Sequence, residues 1–109
     1  MAFDDNLAAR IRSALVRKKG VEEKKMFGGL CFLLQGHMLV GVWKNSLIAR
    51  IGQEQAEEGL LEPHVKPMDI TGKPMKGWVM VASEGVVNEG AVKGWVLRAV
   101  RFVSKLPAK

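Results

Sequence analysis

The sequence predicts an α+β domain in which amphipathic helices from the two ends of the chain cover one face of a five-stranded antiparallel sheet, in the order helix, three strands, helix, two strands, helix. Two observations carry this. Residues 26–51, MFGGLCFLLQGHMLVGVWKNSLIARI, hold three short apolar runs separated by Gln35-Gly36-His37 and Lys44-Asn45-Ser46, clusters that turn the chain rather than continue a helix. Connections so short can only reverse direction, because parallel pairing needs a crossover of about a dozen residues or more. Near both ends, apolar residues recur instead at steps of three and four, the period of a helix with one buried stripe.

The first helix starts at Asp4, Asp5 or Asn6, whose side chains can accept hydrogen bonds from the unpaired N–H groups of a helix start, and runs to about Lys19. Leu7, Ala8, Ile11, Ala14 and Leu15 form its stripe, with Arg10, Arg12 and Arg17 outside it. Gly20 can take the left-handed conformation that ends such a helix. Val21 to Lys25, VEEKK, reads as a charged linker. The paired Gly28-Gly29 that follow suggest a bulge or a close approach of another backbone.

The three runs of the meander are Leu30 to Leu34, Met38 to Trp43 and Leu47 to Ile51. Phe32, Leu34, Met38, Val40 and Val42 are candidate core positions, although the runs are apolar on both parities and leave the facing open. Leu47, Ala49 and Ile51 alternate with Ser46, Ile48 and Arg50, which puts Arg50 on the wetter face. Gly52 to Leu61 reads as a short, mostly solvated helix with one apolar pair, Ala56 and Leu60. Residues 62–67 break regularity through Pro63 and Pro67. Met68 to Ile70 is then a short strand, Thr71 to Pro74 a turn, and Gly77 to Ala82 a longer strand. Asn88 caps a last helix running to Lys105, stopped by Pro107, whose apolar stripe passes through Val92, Trp95, Val96, Ala99, Phe102, Val103 and Leu106.

A chain of 109 residues is expected to form a single domain, residues 1–109, burying about two-thirds of its unfolded surface. No apolar run approaches the roughly 18 residues of a membrane span, and MAFDDNLAAR opens with acids rather than a signal peptide's basic start, so no membrane role and a cytoplasmic address are expected. A single cysteine, Cys31, agrees with a reducing compartment. The net charge of +6 is uneven: residues 1–25 hold seven Lys/Arg against four acids, 26–75 four against five, and 76–109 six against two. The excess belongs to the two end segments. Arg10 and Arg17 on the first helix, with Arg98, Arg101 and Lys105 on the last, are therefore candidate contacts for nucleic acid or an acidic protein, beside the plainer reading of a solvated helix face.

Enzyme signatures are weak. Gly28-Gly29 lacks the third glycine of a dinucleotide fingerprint, and Gly72-Lys73 lacks the remainder of a phosphate loop. Cys31 falls in a strand expected to be buried, which favours packing over nucleophilic chemistry. His37 and His64 fall in turn or loop segments where solvated histidines are usual. Asp69, next to Thr71 and Gly72, fits a turn-closing carboxylate better than a base. Trp43, Trp78 and Trp95 sit where core packing is favoured over base stacking. No metal or cofactor is expected.

Several segments also resemble a known family. Lys25 to Leu30 (KMFGGL), Gly36, Arg50-Ile51-Gly52, Pro67 to Trp78 (PMDITGKPMKGW) and the closing Leu106-Pro107-Ala108-Lys109 are similar to the N-terminal domain of TfoX/Sxy competence regulators, over about Ile11 to Lys109. Met26, Phe27, Gly28, Gly29, Met68, Asp69, Gly72, Pro74, Gly77 and Trp78 carry the match. The resemblance implies a two-layer α/β sandwich and a non-enzymatic regulatory module of the kind that promotes DNA-uptake genes. It implies a protein partner, with the transcription machinery a candidate, and either a monomer or a homodimer through a sheet edge. Regulators of this type carry a second, C-terminal domain that these 109 residues do not include, so this chain is expected to act as an N-terminal domain alone.

Overall fold

The computed structural model describes residues 4–26, 28–68 and 76–106. Asp4 caps the first helix, α1 (Asp5–Ala14), its carboxylate accepting from the backbone N–H groups of Asn6 at 2.9 Å and Leu7 at 3.1 Å. The helix ends at Ala14 rather than near Lys19. Its apolar stripe ends at Leu15, and Val16 to Gly20 are all exposed, so burial no longer supports further turns.

The chain continues through β1 (Val21–Met26), β2 (Gly29–Leu34), β3 (His37–Trp43), β4 (Ser46–Arg50), α2 (Gln53–Gly59), β5 (Val65–Pro67), β6 (Trp78–Val81), a 3₁₀ turn (Ser83–Val86) and α3 (Glu89–Val103). Among the described residues the strands form one sheet of six, ordered β1-β2-β3-β4-β6-β5, with every neighbouring pair antiparallel. The α+β class therefore holds, with six strands where five were expected. The added strand is the segment read as a linker: β1 pairs with β2 along its whole length, from Val21 opposite Leu34 to Met26 opposite Gly29. Glu22 to Lys25 are exposed on both faces, so no apolar alternation marked the segment as a strand.

A short strand forms at Val65–Pro67, inside the stretch read as irregular and just ahead of the one expected at Met68 to Ile70. Pro67 is tolerated because β5 pairs with β6 alone and forms an edge. Met68 is buried beside it, while Asp69 and Ile70 lie outside the described residues. The 3₁₀ turn had no expectation in the sequence. Asn88 caps α3 as expected, accepting from the Ala91 N–H at 2.7 Å.

Helices α1 and α3 pack on one face of the sheet. Leu7 and Ile11 from α1 and Leu15 at its C-cap join Val92, Val96 and Ala99 from α3 against Phe32, Val40, Leu47 and Val79. The opposite face holds a second cluster of Cys31, Leu33, Ile48, Met68, Trp78 and Met80. Met38 packs against this second cluster rather than beside Val40 and Val42, as expected from its parity. The cause is an irregularity in the β2–β3 ladder: Phe32 pairs with Val40 and Leu33 with Met38, leaving Leu39 as an extra residue that reverses the facing.

Gly29 bears out the expected close approach: a Cβ there would collide with the carbonyl of Val42. Gly28 has open space, and only its left-handed backbone (φ +77°) disfavours a side chain. Gly29→Ala should therefore lower stability by about 2–3 kcal/mol, a typical overpacking cost. Gly28→Ala should lose only about 1–2 kcal/mol, the cost of a left-handed non-glycine residue. Urea unfolding of the two variants would check the order.

Candidate functional site

The five cations expected to share one helical layer are divided by the fold. Arg10 is half-buried, and its Nη1 donates to the Val86 carbonyl at 2.9 Å, fastening α1 to the 3₁₀ turn. Arg98 is paired: its Nη1 lies 2.7 Å from Glu62 Oε2, and its guanidinium sits 4.4 Å from the Trp95 ring centre. Arg101, on α3, and Lys105, just past the end of this helix at Val103 rather than within it as expected, remain exposed on that side. Together with Arg98, Phe102 and residues Gln53 to Gln55 at the start of α2, they line a cleft of about 460 Å³. Glu54 brings one acid to that lining.

Arg17 lies apart from these, exposed just beyond the end of α1, on a groove of about 290 Å³ between α1 and α3. The floor of this groove is apolar, formed by Leu15, Val96, Leu97 and Val100, and Lys18 and Lys93 stand on its rim with Arg17. The two cationic regions thus line separate depressions beside α3, Lys93 on one and Arg98 and Arg101 on the other. Sequence reasoning missed Lys18, Lys93 and the groove floor. The signal available was that Leu97 and Val100 are large apolar residues off the stripe of α3.

The residues weighed for chemistry are scattered. Cys31 is buried in the second cluster, and burial pushes its thiol above the ordinary range, as a packing cysteine requires. His64 is exposed with a left-handed backbone (φ +66°), and His37 is half-buried at the start of β3. Among the described residues no group of three His, Cys, Asp or Glu side chains is placed to hold a metal, and no helix is long and apolar enough to cross a membrane. Trp78 and Trp95 are buried, in agreement with core packing, and Trp43 is half-buried with Lys44 Nζ 4.7 Å from its ring centre.

The residues that carried the family resemblance have structural positions. Met26 and Gly29 flank the β1–β2 turn that contains Gly28, Met68 and Trp78 belong to the second cluster, and the Gly77 carbonyl accepts from the Ile51 and Gly52 N–H groups. Phe27, Asp69, Gly72 and Pro74 lie outside the described residues. Cys31 offers a direct check on the second cluster. Its reaction with a thiol reagent at pH 8 should be about 100-fold slower, or more, in the native protein than in denaturant, since a buried thiol reacts only through opening.

A family model for the TfoX N-terminal domain matches residues 13–103. No curated protein and no solved structure matches the chain. With the match running from within α1 to the last residue of α3, the chain belongs to the TfoX N-terminal domain family.

Proposed function

We propose that this chain is a non-enzymatic, cytoplasmic regulatory module that acts by binding another protein, within the competence-regulator kinship its family implies. The observation that carries the reading is the open groove between α1 and α3, where Leu97 leaves 54% of its surface exposed over an otherwise apolar floor. Exposed apolar surface rimmed by polar groups is characteristic of protein contact sites. Family membership supports regulation rather than supplying a mechanism, because function resides in a site and not in a fold.

A second reading, an accessory protein that binds nucleic acid, draws on the other depression beside α3. There Arg101 and Lys105 are exposed and line a cleft of about 460 Å³, where they could contact phosphates.

Affinity capture from a bacterial lysate, with and without nuclease, separates the two. The first reading expects a protein partner that survives nuclease treatment, and it fails if capture depends wholly on nucleic acid or if the purified protein shows turnover abolished by a point change. The second expects a mobility shift at low salt that weakens steeply as salt rises, by about tenfold per tenfold salt for each phosphate contacted. Reversing Arg101 and Lys105 to Glu should abolish that shift.

A further inference from the structure

We propose that the α1–α3 groove receives an acidic amphipathic helix from a protein partner. This rests on the protein-binding reading above and adds the chemistry of the partner. Shape comes first. The groove lies between two helices and has a volume of about 290 Å³, with an apolar floor contributed by Leu15, Val96, Leu97 and Val100. That is at or below the roughly 300–1,000 Å³ of small-molecule sites, and suits one or two apolar side chains. A third helix laid along such a trough presents its anchors at three- and four-residue steps.

Charge then selects among helices. Arg17 and Lys18 stand on the α1 side and Lys93 on the α3 side, and no acid lines the groove. The two ion pairs among the described residues join Arg12 to Glu23 and Arg98 to Glu62, leaving these three cations outside any pair. An acidic helix meets all three at the rim while its apolar face covers Leu97. A second copy of this chain would instead bring its own cationic rim against the first, placing like charges together. A nucleic-acid strand would satisfy the cations but set phosphates over Leu97 and Val100, whose burial would then contribute nothing.

The test uses a fluorescein-labelled peptide of about 16 residues with leucines at helical i, i+3, i+4 and i+7 spacing and glutamates on the opposite face. Two controls share its length: one with every Glu replaced by Lys, and one with the same composition but leucines scattered off a single face. Fluorescence polarisation at low salt should show the acidic amphipathic peptide binding at least about tenfold tighter than either control. Leu97→Glu and Lys93→Glu should each weaken it by about tenfold or more. Both residues are exposed, so the variants should keep their fold, checked by thermal melts followed by circular dichroism.

Lys66→Glu changes the net charge equally on β5, an edge strand of the sheet, and should leave binding unaltered. Equal binding by either control peptide, a Lys66→Glu loss matching that of Lys93→Glu, or a larger loss from Arg101→Glu than from Leu97→Glu would overturn the proposal. Failure of the peptide while a nuclease-resistant lysate partner is still captured, equally by the Leu97→Glu variant, overturns this docking site but leaves the protein-binding reading standing. Failure of both removes both.

Discussion

The structure depends on strands that are buried on both faces. Every residue of β2 from Gly29 to Leu34 is buried, as is every residue of β6 from Trp78 to Val81. A strand with no wet face must pair its backbone on both sides, because a buried N–H or C=O left unpaired costs about 1–3 kcal/mol. Each therefore needs two neighbours: β2 lies between β1 and β3, and β6 between β4 and β5. The outer strands only have to supply hydrogen bonds. That requirement is why VEEKK, with no apolar face, forms a strand, and why three residues ending in Pro67 suffice at the other edge. The pairing extends one step past β1, where the Gln35 N–H donates to the Gly20 carbonyl at 3.0 Å.

The same two-sided burial decides what could be read from the sequence. The hairpins of β2, β3 and β4 were legible because their turns are short and marked by Gly36 and Asn45. The stripe of α3 was legible because a helix on one face of a sheet has one dry side, and Val92, Trp95, Val96, Ala99 and Val103 are indeed buried. The facing of Met38 was not legible: a strand apolar on both parities gives no sign of an extra residue such as Leu39. Strand β1 was not legible either, since its place is dictated by what β2 lacks and not by its own side chains.

The candidate site shows a related limit. Counting charges along the chain locates cations, but not their partners. Three of the arginines outside the apolar stripes join one element to another: Arg10 reaches the Val86 carbonyl, Arg12 makes two 2.7 Å hydrogen bonds to Glu23, and Arg98 pairs with Glu62. The Arg12 guanidinium holds the Glu23 carboxyl below its ordinary range, chiefly through that hydrogen bond. The pair is largely solvated, and such contacts contribute at most about 1 kcal/mol, so their consequence is orientation more than stability. Among the described cations outside these pairs, Arg17, Lys18 and Lys93 gather on one depression beside α3 and Arg101 and Lys105 on another, while Lys19, Lys24, Lys25, Lys66 and Lys76 are spread over the rest of the surface.

The two sheet edges differ in what they offer an incoming strand. The Gly20–Gln35 bond sets the alternation along β1, so the backbone groups of Val21, Glu23 and Lys25 face away from β2. A two-fold antiparallel pairing with a second copy must oppose outward residues to outward residues, and so places one residue opposite its own copy. Near the middle of the strand that residue is Glu23 or Lys24, one like-charge pair, but the flanking positions then set Glu22 opposite Lys24 or Glu23 opposite Lys25, and these opposite-charge pairs offset it. At the far edge, Pro67 has no N–H to offer an incoming strand. Of the two edges, the one at β5 is the one blocked to a further strand. The helical layer has no such guard: Leu97 lies exposed between α1 and α3, in a trough whose cations are unpaired.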